Sequence, residues 1–225
     1  MRDRTTGRTS LAQPSPRALA RIRAAVFVAG LLPLLRLLVL GHADALGANP
    51  VEFVTRSTGT WTLVMLCITL SVTPLRLLSG WSWLARLRRM SGLYAFFYAL
   101  LHFTTWVWFD QWFDPASMIV DVADRPFVTI GFTAFVLMLP LAATSTRAMM
   151  RRLGSRWQAL HRLVYAVAVL AVVHFWWLEA GKNDLAEPMI YASVVALLLG
   201  FRALRQVARR ASPGASARQA PLERE

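Results

Sequence analysis

Three of the four histidines in this 225-residue chain, His102, His161 and His174, lie inside long apolar runs. An imidazole in such a setting must find a partner, because an unpaired polar group in a low-dielectric medium is costly. Two kinds of partner are open to it. One is a hydrogen bond to a neighbouring helix, which suits a lone histidine. The other is a metal or a haem iron, which takes the neutral ring through one nitrogen. His161 and His174 stand near the two ends of the run at 157–179 (WQALHRLVYAVAVLAVVHFWWLE), and His102 sits in the run at 93–109. Three histidines on two helices favour metal or haem. The fourth, His42, falls in the polar segment GHADALGANPVEFVTRSTG and reads as an interfacial residue.

The elements that must carry these side chains follow from composition. With 56% hydrophobic and 16% charged residues, the chain has more apolar segments than one soluble core could hide. The expected fold is an all-α integral membrane protein, a bundle of six transmembrane helices at 22–40, 60–78, 93–109, 127–143, 157–179 and 188–204. The basic flank of the first run, followed by HADALGA, imitates a secretory signal cleaved after Ala45, but its length and the further runs favour a retained helix. No convincing internal repeat is visible. Residues 1–21 read as a disordered cytoplasmic tail, 22–204 as one membrane domain, and 205–225 as a basic cytoplasmic tail.

The net charge of +13 comes from arginines clustered between the apolar runs, a pattern of cytoplasmic loops that needs no nucleic-acid partner. Both tails and the loops around Arg88 and Arg151 are basic, whereas the alternate loops carry Asp110, Asp114, Asp121 and Asp124, or Glu179, Asp184 and Glu187. Both termini are therefore expected inside. Arg36, within the first run, either snorkels to the surface or faces a buried anion. The single Cys67 excludes an internal disulfide and any multi-cysteine metal site, and the absence of CxxCH means that a haem would be held without thioether bonds.

In this orientation the helices bearing His102 and His174 both run outward. At ~1.5 Å rise per residue, His102 lies about 10 Å and His174 about 6 Å below the outer ends of their helices. Two neutral imidazoles facing each other at similar depth form the axial pair of a b-type haem, with the surrounding aromatics packed on the ring. A zinc or copper ion would want a third or fourth ligand, and this depth offers none. His161 lies about 20 Å further in, where a second haem would complete a path across the membrane. No histidine stands opposite it; Arg88, fourteen residues before His102, shares its face but has no lone pair for iron and suits haem propionates or a flavin phosphate. On an ideal helix His161 and His174 point about 140° apart, so serving one partner helix requires a local change of winding.

His102 with RRMSGLYAFFYALLHF, the stretch TSTRAMMRRLGSRWQALHRLVY, the following His174, and GLLP, NPVEF and TPLRLL upstream together resemble the ferric-reductase-like membrane domain. Within it they look like the haem-binding membrane subunit of the bacterial periplasmic protein-methionine-sulfoxide reductase system, from about Leu31 to about Leu204. The resemblance implies an inner-membrane electron-transfer subunit with haem b, one or two copies, and FMN as a further candidate cofactor. Its electrons would come from the quinone pool or a cytoplasmic flavin reductase. They would go to a periplasmic molybdenum-containing subunit that carries the catalytic site and reduces methionine sulfoxide in proteins. Related oxidases carry two histidines on each of two helices; here Arg88 takes the fourth place. Those relatives also carry a flavin and nicotinamide domain, for which this chain has no GxGxxG. The rival readings are a free-standing ferric or oxygen reductase and a non-haem membrane transporter or scaffold.

Overall fold

The computed structural model describes residues 13–181 and 184–211. Most of the expected tails, 1–12 and 212–225, lie outside the described residues. Every described element is helical: α1 (Pro16–His42), α2 (Pro50–Ser79), α3 (Arg88–Thr105), α4 (Pro115–Asp124), α5 (Pro126–Ala143), α6 (Arg147–Leu153), α7 (Ser155–His161), α8 (Leu163–Ala180) and α9 (Ala186–Ala211). A short 3-10 turn, Ser82–Arg86, precedes α3, and a π turn, Trp106–Asp110, continues it. The first helix begins at Pro16, inside the expected tail, and the last runs on to Ala211.

Helix starts repeat one device. Ser15 before Pro16, Asn49 before Pro50 and Asp114 before Pro115 each accept a hydrogen bond from an orphan backbone N–H, while proline occupies a position that needs no donor. The second helix ends at Gly80, whose φ of 73° terminates the helix in the left-handed region.

Five helices are long and apolar enough to cross a membrane: Pro16–His42, Pro50–Ser79, Pro126–Ala143, Ser155–Ala180 and Ala186–Ala208. The run around His102 is not among them. Its helix starts with Arg88 and Arg89 and carries Ser91, Tyr94, Tyr98 and His102. This composition fits its place, since Ala95 and Tyr98 are fully buried and the helix packs chiefly on α2. A helix that faces other helices needs less hydropathy than one that faces lipid.

The core forms around α3. Tyr98 donates to the Gly30 carbonyl at 2.7 Å and Tyr94 to the Phe27 carbonyl at 2.6 Å, which docks α1. A Cβ at Gly30 would sit 2.5 Å from the Tyr94 ring, so this close approach requires glycine. Arg36 on the same helix is exposed, with its guanidinium 5.5 Å from the centre of the Phe53 ring. At the far end of the chain Arg202 ties α9 to its neighbours. It donates to the Leu198 and Leu70 carbonyls and lies over Tyr165.

Candidate haem site

The fold brings His102 on α3 and His174 on α8 together, ring centre to ring centre at 6.2 Å, with ring planes crossing at 72°. Each ring is anchored through its Nδ1 atom. His102 Nδ1–H donates to the Thr55 carbonyl at 3.0 Å and His174 Nδ1–H to the Phe127 carbonyl at 2.7 Å. A carbonyl only accepts, so each hydrogen bond fixes the tautomer and leaves an Nε2 lone pair for a metal. A metal–imidazole bond of about 2.0 Å, plus about 1.1 Å from nitrogen to ring centre, places two trans-axial rings about 6 Å apart. The observed spacing meets that requirement. Among the described residues no group of three or more His, Cys, Asp or Glu could hold a metal ion. The pair therefore fits an iron whose equatorial ligands come from a macrocycle.

The space around the pair is a cavity of about 300 Å³, within the ~300–1,000 Å³ range of cofactor pockets. Leu63, Phe103, Phe132 and Phe135 give it apolar walls, and Arg56, Asp110, Arg125 and Glu179 line its polar part. Phe96, Phe135 and Phe103 form a stacked series, at 6.1 Å and then 4.5 Å between ring centres. Arg125 pairs with Asp121, whose other oxygen accepts from Trp106 Nε1 at 2.9 Å. Burial pushes the Asp110 carboxyl above its usual range and nearby Asp121 adds to this, against the opposing pull of Arg125. Glu179, expected as an outer-loop acid, is the last turn of α8 instead and is almost wholly buried. It meets Arg56, a partnership across 123 residues that sequence reasoning missed.

The two histidines are held by one repeated motif. Thr55 and Gly59 on α2 serve His102, and Phe127 and Gly131 on α5 serve His174; in both hairpins carbonyl and histidine are 47 residues apart. The glycine one turn after each carbonyl lets the ring lie against the helix. A Cβ at Gly59 would come within 3.1 Å of His102 and one at Gly131 within 2.7 Å of His174. Thr55 and Phe127, Gly59 and Gly131, and His102 and His174 are each 72 residues apart, and the same 72-residue offset relates Leu66 to Met138, Ala99 to Ala171 and Phe103 to Phe175, all of which line the cavity. This corrects the expectation of no internal repeat. Glycine, alanine, phenylalanine and histidine recur, while the other positions have diverged.

Toward the His161 end of the bundle, expected to be the inner one, lies a second cavity, of about 310 Å³, lined by His161 together with Arg76, Arg88 and Arg89. The cavities share Leu66, Met138 and Val167, which form the partition between them. Phe96 lines the inner one, and Phe103 and Phe135 the outer, so the aromatic series crosses the same partition. His161 stacks on Trp157 at 3.9 Å and its Nδ1–H donates to the Trp157 carbonyl at 3.1 Å. Its Nε2 is buried with no hydrogen-bond partner, a lone pair available to a ligand. Between the two histidines the winding changes locally: α7 ends at His161 and α8 begins at Leu163, with Arg162 in a tighter turn whose N–H reaches the Ala159 carbonyl at 3.2 Å. His42 ends α1 and is exposed, and Cys67 is a free thiol in α2; neither joins a site.

Residues 58–172 match the family model described as ferric reductase like transmembrane component. The chain is 63% identical over 188 residues to the protein-methionine-sulfoxide reductase heme-binding subunit MsrQ of Ralstonia nicotianae, covering 83% of this chain and 87% of that one. The protein of the same name from Bordetella pertussis is 63% identical, with 83% and 90% covered. That from Xanthomonas campestris is 49% identical, with 75% and 76% covered. No solved structure matches the chain.

Proposed function

Because the chain belongs to the ferric-reductase-like transmembrane family, among its protein-methionine-sulfoxide reductase heme-binding subunits, we propose that it holds haem b between His102 and His174. It is a multi-pass protein of the bacterial inner membrane that serves electron transfer. His102 and His174 would hold the haem, which when bound would supply one-electron chemistry suited to electron transfer. The chain's own residues do the rest. The Thr55 and Phe127 carbonyls hold the imidazoles in one tautomer, and the phenylalanine walls keep water from the ring. The observation that carries the reading is the 6.2 Å spacing of two rings whose Nδ1 atoms are already committed.

Electrons enter at the cytoplasmic side, from the quinone pool or a flavin reductase, and leave to a periplasmic molybdenum-containing subunit that reduces methionine sulfoxide in proteins. The inner cavity is the entry site. His161 offers its free nitrogen to a second haem, and Arg76, Arg88 and Arg89 supply cations for haem propionates or an FMN phosphate. A reduced-minus-oxidised visible spectrum of the purified protein tests for haem. Reduction kinetics of the partner with and without the subunit then separate this reading from a free-standing reductase.

With α3 counted beside the five apolar helices, the bundle has six spans and both ends in the cytoplasm, an orientation supported by the alternation of basic and acidic loops. In a Cys67→Ala background, Ala116→Cys and Gly181→Cys should react with an impermeant thiol reagent in intact cells, and Ser155→Cys should not. Labelling at Ser155→Cys alone would reverse the orientation and the direction of electron flow.

His161→Ala should slow reduction from the cytoplasmic side at least tenfold while the outer haem keeps its spectrum, since about 20 Å of helix separates the sites. Arg88→Lys keeps the charge but loses the planar fork, and should impair entry less than Arg88→Ala. Stopped-flow reduction normalised to outer-haem content is the readout; an unchanged rate in His161→Ala removes that residue from the path.

A further inference from the structure

The outer cavity contains one charged group that neither axial ligation nor helix packing accounts for. Glu179 lines it with a side chain only 2% exposed, paired with Arg56, whose side chain is 38% exposed. Arg56 Nη1 lies 3.1 Å from Oε1 and donates to Oε2 at 3.4 Å, and Oε1 has no hydrogen bond. A buried carboxylate with an unbonded oxygen is expensive to keep, and an apolar pair of similar volume would hold α2 to α8 at lower cost. Position supplies a reason for the expense. Glu179 stands five residues beyond His174 on the same helix, about 7.5 Å further out. Arg56 directly follows Thr55, which anchors His102. The pair therefore spans the rim of the site, from the turn that holds one ligand to the helix that carries the other.

The two charges do not cancel at the iron. Glu179 acts through protein, where the effective dielectric is low, whereas the guanidinium of Arg56 is partly in water and is screened. The other charged groups on the cavity wall are weaker sources. Arg125 is 47% exposed and paired with Asp121, and Asp110 is exposed, so water screens both. Glu179 is thus the least screened charge on the cavity wall.

Resting on the haem reading above, the geometry points to Glu179 as the residue that sets the reduction potential of the outer haem. The buried anion stabilises the ferric state, with its extra positive charge, over the ferrous state and so makes the subunit a stronger reductant for its partner. Arg56 is a positioning residue, which keeps the carboxylate aimed and charged. Reduction takes one electron into iron and lowers the charge of the site by one; no proton transfer is required.

The test is a potentiometric titration of the purified holoprotein, following the haem absorbance. Glu179→Gln keeps the shape and an acceptor for Arg56 but removes the charge. It should raise the ratio of reduced to oxidised haem at fixed potential about tenfold, or ~59 mV for one electron. Glu179→Asp, which keeps the charge, should stay close to wild type. Arg56→Gln should move the potential the other way and by less. A purely structural brace would lower haem content or stability in these variants but leave the potential of the bound haem unchanged, and that outcome overturns the proposal. If Glu179→Gln does not retain haem, the Glu179→Asp and Arg56→Gln titrations still decide it: equal potentials in both and in wild type reject the role. Absence of haem from the wild-type protein would reject the haem reading itself, a separate result.

Discussion

Replacing His102 or His174 by alanine is expected to remove the low-spin haem spectrum and to cut haem content by well over the ~10–100-fold that loss of a mere outer-shell partner costs a metal site. The reason lies in the geometry. The two rings are 6.2 Å apart, a gap that one iron with two axial bonds fills, and no third side chain of the described residues stands by to replace either. A His102→Ala,His174→Ala double variant should be no worse than the single ones, since the ligands act as one unit. The same substitutions should leave the bundle assembled in detergent, because the core of Ala95, Tyr98 and Val167 does not depend on the imidazoles. Monodisperse protein with undiminished haem in either single variant would show that the pair is not the ligand set.

The second large effect is expected from the smallest substitution. Gly131→Ala places a methyl group 2.7 Å from His174 Nδ1, the atom that donates to the Phe127 carbonyl, so the ring must move off that hydrogen bond. Overpacking of this kind costs ~1–3 kcal/mol, and disturbing the partner of a ligating histidine weakens the metal site by ~10–100-fold. Gly59→Ala meets His102 at 3.1 Å, a contact that a shift of a few tenths of an ångström relieves. Its effect should be clearly smaller. Haem affinity by titration of apoprotein, with size-exclusion profiles as the folding control, compares the two; equal losses, or a greater loss in Gly59→Ala, would contradict the account.

The sequence made the matched depth of His102 and His174 legible because helical rise is nearly invariant and both runs are bounded by polar segments. It also made the inner cluster of His161 and Arg88 legible, and the structure lines one cavity with both. Angular position was less secure. The local change of winding at Arg162 has no proline or glycine to announce it. The anchors of the imidazoles were invisible for another reason: they are backbone carbonyls, which any residue supplies, here threonine in one hairpin and phenylalanine in the other. Only the following glycines left a trace. Glu179 was misplaced because a charge at the end of an apolar run reads as solvent-exposed, and its partner lies too far away in sequence to suggest burial.

The repeated hairpin has a consequence for how the molecule is made. Each half of the chain brings one of the two facing histidines, with its own carbonyl anchor and its own glycine, and on the proposed ligation neither half would grip an iron from both sides. The α2–α3 hairpin leaves the ribosome well before α8, so the first half waits in the bilayer with half a socket until translation delivers the second. Cofactor capture is then a closing event late in biogenesis, and by mass action it stabilises only the joined state. A cell short of haem would hold the polypeptide longer in its open form, exposed to membrane proteases. On the proposed ligation, haem supply would set the lifetime and abundance of the subunit before it set any electron flow.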